Sequence, residues 1–220
     1  LLFVQVAHVL YLLLLFVELE EWFSGSEAGN ALADVVFGAV NPSGKLPFTF
    51  PVRLEDNGAH ALGEYPGSDK VKYNESIFVG YRWHDKEQLK PLFAFGHGLS
   101  YTAFAVGNVK ADRTTLAPNG SIRISADVTN TGDRAGAEVV QLYIGDEQSS
   151  LPRPVKELKG FQKVSLNPGQ TRTVTFEITP GMLQYYDDAK GAWVAEPGAF
   201  TAYVGAASDD IRGTVEFELK

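Results

Sequence analysis

From about Phe104 to Lys220, apolar and polar residues alternate with a period of two. Ile122, Ile124, Ala126 and Val128 are interleaved with Arg123, Ser125 and Asp127. The same beat returns at Val140, Leu142 and Ile144, then at Val174, Phe176 and Ile178. It continues through Phe200, Ala202 and Val204 and closes the chain at Val215, Phe217 and Leu219. A strand buried on one face and solvated on the other requires this alternation. Asn130-Thr131-Gly132-Asp133, Asn167-Pro168-Gly169 and Glu196-Pro197-Gly198 punctuate the runs with turn formers. Short, regularly spaced strands between such turns predict an all-β sandwich of the immunoglobulin or fibronectin III-like kind over residues 104–220. Phe161, Phe176, Trp193, Phe200 and Phe217 are its expected core aromatics.

The preceding residues follow a different period. Ala28, Ala31, Leu32, Val35 and Val36 fall on one face of a helix. Ser24-Gly25-Ser26-Glu27 fits a capping box before it, and Gly38 stops it. Leu46–Pro51 reads as extended, with Pro47 and Pro51 confining it to an edge or an irregular strand. Arg53–Lys72 is rich in turn formers and reads as a long surface loop. Ile77–Trp83 reads as strand-like. The glycines of Phe95-Gly96-His97-Gly98 allow sharp turns and close backbone approach. Leu1–Val17 is nearly all apolar, which suits a buried strand and helix of an α/β domain and falls short of the roughly 20 residues of a membrane span. The expected fold class is an α/β fragment followed by an all-β sandwich. Its parts are the end of an α/β domain (1–52), a connecting segment (53–103) and the sandwich (104–220).

Composition narrows the chemistry. With 220 residues, 45% of them hydrophobic, the chain can build a sizeable core. The net charge of −8 without a basic patch argues against nucleic acid. The chain has no cysteine, which excludes disulfides, thiolate zinc sites and thiol nucleophiles. It lacks an initiator Met and reads as a fragment or processed piece. His8, His60, His84 and His97 show no ligand spacing, so no metal is expected. Asn74-Glu75-Ser76 and Asn119-Gly120-Ser121 match the N-glycosylation acceptor pattern.

Two places could carry function. Glu27 opens the predicted helix, either as a carboxylate facing substrate or as the reaching arm of the capping box. In Tyr81-Arg82-Trp83-His84-Asp85, aromatic faces could stack on a sugar while Arg82 and Asp85 bond its hydroxyls. The alternative is that Tyr81 and Trp83 pack a junction, with Arg82 in a structural ion pair. Asp187 and Asp188 fit a turn. No pair of carboxylates is marked as acid and nucleophile.

Four stretches carry a family resemblance. They are Trp22-Phe23-Ser24-Gly25-Ser26-Glu27-Ala28-Gly29-Asn30-Ala31-Leu32-Ala33-Asp34; Asn41-Pro42-Ser43-Gly44-Lys45-Leu46-Pro47; Phe78-Val79-Gly80-Tyr81-Arg82 with Pro91-Leu92-Phe93 and Phe95-Gly96-His97-Gly98-Leu99-Ser100-Tyr101; and Arg153-Pro154-Val155-Lys156-Glu157-Leu158-Lys159-Gly160-Phe161 with Glu196-Pro197-Gly198 after it. In this order they resemble the C-terminal region of family 3 glycoside hydrolases, the β-glucosidase group. Leu1–Leu19 departs from that pattern, lacking the polarity members usually show there. The resemblance implies a retaining hydrolase whose catalytic Asp and Glu lie outside this chain, leaving the chain itself inactive. It implies a β-linked glycoside as substrate, β-glucoside or β-xyloside, and the remaining catalytic domains of the same protein as partners. It implies no cofactor, no membrane and a periplasmic or secreted location, and leaves homo-oligomer formation open. The competing class is a stand-alone module binding glycan or protein, for which Tyr185, Tyr186 and Trp193 would have to form an exposed, coplanar stripe.

Overall fold

A computed structural model describes Glu20 and residues 25–220. The expectation for Leu1–Val17 and the Ser24 half of the capping box lie outside the described residues. Two compact units result, residues 1–41 and 42–220.

In the first unit the helical period becomes helix α1 (Ala28–Val36), preceded by a 3-10 turn over Gly25–Glu27. Its last carbonyls are capped by the N–H groups of Phe37 and Gly38, and Gly38 turns the chain at φ 77°. No residue of α1 is buried, although Ala28, Leu32 and Val35 are partly covered.

The second unit joins the connecting segment and the sandwich in one body. Instead of an unbroken loop, residues 53–72 hold a 3-10 turn (Leu54–Asp56) and a short helix α2 (Gly58–Ala61). The expectation of a strand at Ile77–Trp83 is also corrected. The chain turns at Gly80 (φ 58°) and enters helix α3 (Tyr81–Lys86). A strand would have sent alternate aromatics to opposite faces. The helix sets Tyr81, His84 and Asp85 along one face, three and four residues apart.

The sandwich has ten strands, counting a small appended hairpin. Strands β1 (Phe104–Ala111), β3 (Ile122–Asn130) and β6 (Thr171–Ile178) form one sheet in the order β1-β3-β6. The other sheet contains β2 (Thr115–Leu116), β4 (Gly136–Asp146), β5 (Glu157–Leu166), β9 (Gly198–Ala207) and β10 (Asp210–Leu219). Its order is β2-β10-β9-β4-β5, antiparallel except for β2 with β10. Strands β7 (Tyr185–Asp187) and β8 (Ala192–Val194) pair as the separate hairpin. The core between the sheets contains the alternating residues read from the sequence, including Ile122, Ile124, Val128, Val140, Leu142, Val174, Phe200 and Phe217.

Two expected core aromatics lie outside it. Phe161 is 66% exposed and Trp193 is 64% exposed. On β5 the inward positions are Gly160, Gln162, Val164 and Leu166, so Phe161 falls on the outer face by register. A glycine stands at the inward position 160, where Phe176 fills the space and a Cβ would stand 3.2 Å from its ring. Trp193 belongs to the appended hairpin.

Asn130 anchors the turn between β3 and β4. It is fully buried, and its side chain uses both ends. Its Oδ1 accepts from Thr102 Oγ1 (2.8 Å) and Gly132 N (3.1 Å). Its Nδ2 donates to the carbonyls of Arg134 (2.7 Å) and Leu166 (3.1 Å).

Candidate functional site

Strand β4 is buried on both faces, and its second face is covered by the connecting segment. Gln141 and Tyr143 lie between core residues Val140, Leu142 and Ile144 and therefore point the other way. Gln141 Nε2 donates to the carbonyls of Gly96 (3.2 Å) and Ala206 (2.6 Å), while the Tyr143 hydroxyl donates to Gln141 Oε1. The Tyr81 ring meets Tyr143 edge-on at 5.8 Å and lies tilted over Phe95 at 5.0 Å. Burial pushes the Tyr143 phenol well above its ordinary pKa, with Tyr81 and Asp85 adding to the effect.

Ion pairs ring this aromatic contact. Lys156 Nζ reaches Asp85 Oδ2 at 2.6 Å, and Arg82 reaches Glu157 at 3.4 Å. Arg153 binds Asp146 at 2.9 Å, Glu157 at 2.8 Å and the carbonyl of Leu183 at 3.0 Å, with its guanidinium 5.4 Å from the centre of the Tyr185 ring. Burial works to raise the Glu157 carboxyl. The hydrogen bond from Arg153 and the charges of Lys159, Arg153 and Arg82 overcome it and hold the group below its ordinary value.

The glycines of Phe95-Gly96-His97-Gly98 are required by contact. A Cβ on Gly96 would stand 2.2 Å from Gln141 Oε1, and the backbone there has φ 82°. A Cβ on Gly98 would stand 2.2 Å from the Gly44 carbonyl oxygen. Beside this crossing lies a pocket of about 320 Å³, which includes His97, Lys45, Glu138 and Arg212 in its wall. His97 stacks on Phe93 at 5.4 Å, and Lys45 pairs with Glu138 at 2.7 Å.

A second hollow, of about 410 Å³, lies along helix α3. Tyr81, His84 and Asp85 line it from the helix, Thr49 from the 46–51 stretch, Lys90 from the connecting segment, and Ser208 and Asp209 from the β9–β10 turn. Three sequence-distant segments meet here, so periodicity could not place the site.

The structure separates the sequence candidates. Glu27 is exposed at the N-terminus of α1, and its carboxylate accepts from Asn30 Nδ2 at 2.6 Å. It stands at the N-cap of α1 without bonding the helix's first N–H groups through its side chain, and the bond back to Ser24 that a capping box requires lies outside the described residues. Arg82, Trp83 and Asp85 cluster on α3. Trp83 is 5% exposed and packs against Gly58, with Lys86 Nζ 5.0 Å from its ring centre. Tyr81 is 9% exposed and packed against Phe95 and Tyr143, so neither ring offers a free face to a sugar. Asp187 forms the expected turn, accepting from Ala189 N and Lys190 N. Tyr186 and Trp193 are both exposed, but their planes differ by 70°, which is not a coplanar platform. Among the described residues no three His, Asp or Glu side chains converge as metal ligands.

Comparison with known proteins places these features. Residues 17–101 match the glycosyl hydrolase family 3 C-terminal domain, and residues 138–208 match the fibronectin type III-like domain. A beta-glucosidase of Bacteroides ovatus is 54% identical over 202 residues, covering 90% of this chain and 27% of that protein. A thermostable beta-glucosidase B of Acetivibrio thermocellus is 48% identical, covering 88% of this chain and 25% of that protein. The chain thus spans about a quarter of the length of these curated relatives. The crystal structure of a GH3 beta-glucosidase from Bifidobacterium adolescentis superposes with a TM-score of 0.84 at 38% identity, covering 91% of this chain and 29% of that one. That of a beta-glucosidase from Kluyveromyces marxianus in complex with glucose gives 0.82 at 43% identity, covering 90% and 24%. The motifs that lock the connecting segment onto β4 and β5 are thus those of a known domain pair: the chain belongs to glycosyl hydrolase family 3 and carries that family's C-terminal domain followed by a fibronectin type III-like domain.

Proposed function

We propose that this chain is the non-catalytic C-terminal portion of a retaining β-glucosidase-type hydrolase acting on β-linked glucosides or oligosaccharides. The names of its relatives support the substrate class. One observation carries the non-catalytic role. A retaining glycosidase needs a carboxylate nucleophile and, about 5 Å away, a carboxylic acid whose pKa is raised enough to keep its proton. Asp146 and Glu157 share Arg153 as ion-pair partner, and the hydrogen bond from Arg153 helps to hold Glu157 below its ordinary value. Among the described residues, every carboxyl with a displaced pKa is displaced downward: Asp56, Asp112, Asp127, Glu157, Asp187 and Glu196. None is prepared to donate a proton near neutral pH.

The nucleophile and the acid/base therefore belong to the other domains of the full-length protein, which are this chain's partners. Arg82, Trp83 and Asp85 serve the packing of the connecting segment on the sandwich, and Glu27 serves the start of α1. The enzyme works in the periplasm or outside the cell, where oligosaccharides too polar to cross a bilayer are met. Separating periplasmic, secreted and cytosolic fractions of the native host checks that location, and activity confined to the cytosol contradicts it.

The central test compares this chain with the full-length protein on aryl β-glucoside and aryl β-xyloside. The chain should leave both untouched, and the full-length protein should cleave the glucoside. Turnover of either substrate by the chain alone would place a catalytic pair within it and overturn the proposal.

A further inference from the structure

We infer that the hollow beside helix α3 is a binding site for a small, neutral, polyhydroxylated molecule. The inference stands on the residues of that hollow and does not rest on the proposed activity.

Its floor contains two buried polar atoms without a protein partner among the described residues, His84 Nε2 and Thr49 Oγ1. His84 is 6% exposed and Thr49 is 9% exposed. Buried polar groups are nearly always hydrogen-bonded, and each one left unsatisfied costs about 1–3 kcal/mol. The imidazole is already oriented. Its Nδ1 lies 3.0 Å from the Gly80 carbonyl, which can only accept, so Nδ1 carries the proton. In the neutral ring Nε2 is then an acceptor and calls for an incoming O–H or N–H. Thr49 can both give and take a hydrogen bond. Neither atom touches bulk solvent, so a ligand hydroxyl reaches it from the hollow only as the side chains over the floor shift aside.

The surroundings select a neutral ligand. The carboxylate of Asp85 is matched by Lys156 at 2.6 Å, and the exposed rim balances Asp209 against Lys90. A free anion or cation therefore meets no net opposite charge. His84, Asp85 and Asp209 favour a molecule bringing several O–H donors. Thr49, Ser208 and Lys90 supply donors to its oxygens. The volume of about 410 Å³ lies within the ~300–1,000 Å³ range of small-molecule pockets. Three segments hold the walls: Ser208 N donates to the Phe95 carbonyl at 2.9 Å, and Tyr81 is fixed by Phe95 and Tyr143.

The test is an NMR titration of the chain with D-glucose and, separately, with glycerol, following the His84 Nε2 nitrogen and the Thr49 methyl group. A saturable shift of both signals supports the inference. A response to glucose alone identifies a monosaccharide site, and a response to both identifies a general polyol site. Thr49→Val keeps the shape of the side chain and removes the hydroxyl, and should weaken binding by about tenfold. Asp209→Asn on the exposed rim gives a second variant that leaves the floor packing alone, and should also weaken binding. No saturable shift with either ligand, or unchanged affinity in both variants, would overturn the inference.

Discussion

Leu158 N donates to the Tyr81 hydroxyl at 2.9 Å, across 77 positions of sequence. The bond forms where the β4–β5 register slips from Leu142 opposite Gly160 to Tyr143 opposite Leu158, passing over Lys159. The irregularity coincides with the place where helix α3 docks.

Tyr81→Phe keeps the ring against Phe95 and Tyr143 but removes the acceptor for a partly buried backbone N–H. The expected loss is about 1–3 kcal/mol in urea denaturation. Tyr81→Ala also removes the ring and should cost about 3–5 kcal/mol. Equal stability of the phenylalanine variant and wild type would mean that Leu158 N finds another partner.

Gly98→Ala forces a methyl group against the backbone of Gly44, which cannot turn aside as a side chain can. A loss of about 3 kcal/mol or more is expected. The control is Gly169→Ala, at φ 73° with nothing within 4 Å, where only the left-handed backbone penalty of roughly 1–2 kcal/mol applies. Thermal melts of the two variants should differ clearly, and similar melting temperatures would show that the connecting segment is not held this tightly.

Glu157 sets a dependence on acid. Its folded pKa lies below the ordinary 4.5, so its contribution to stability is complete above that value and is lost as pH falls through the folded one. Melting temperatures of wild type and Glu157→Gln, measured from about pH 6 down to about pH 3, should converge as the wild-type carboxyl takes up its proton. Curves that stay parallel through that range would remove Glu157 from the acid response.

At the end of helix α1, Val36 is 46% exposed and Phe37 is 87% exposed. Large exposed apolar side chains drive association. Light scattering behind size exclusion should show concentration-dependent association of this chain. A monodisperse monomer at high concentration would count against it.

The strand positions were legible because one-sided burial imposes a period of two, and the turn formers marked the intervals. Helix α1 was legible for the same kind of reason. Helix α3 was not. Ile77–Trp83 is rich in residues that favour strands, and the deciding feature was the positive φ of Gly80, which only the assembled backbone reveals. Phe161 and Trp193 were misplaced because hydrophobicity alone does not give a face. Register and hairpin geometry do. Glu27 and the Arg82–Asp85 stretch were visible as candidates, yet their partners Asn30, Glu157 and Lys156 follow from folding.

By itself the sequence determined the class of fold, the alternating core, the turns and, through four ordered motifs, the family, because local periodicity and motif order need no knowledge of long-range contact. Only the tertiary structure decided that β4 is buried on both faces, that Arg153 pairs with both Asp146 and Glu157, and that Thr49, His84 and Ser208 share one hollow. Those facts depend on segments far apart in the chain being brought within a few ångströms, where burial and charge set what each side chain can do.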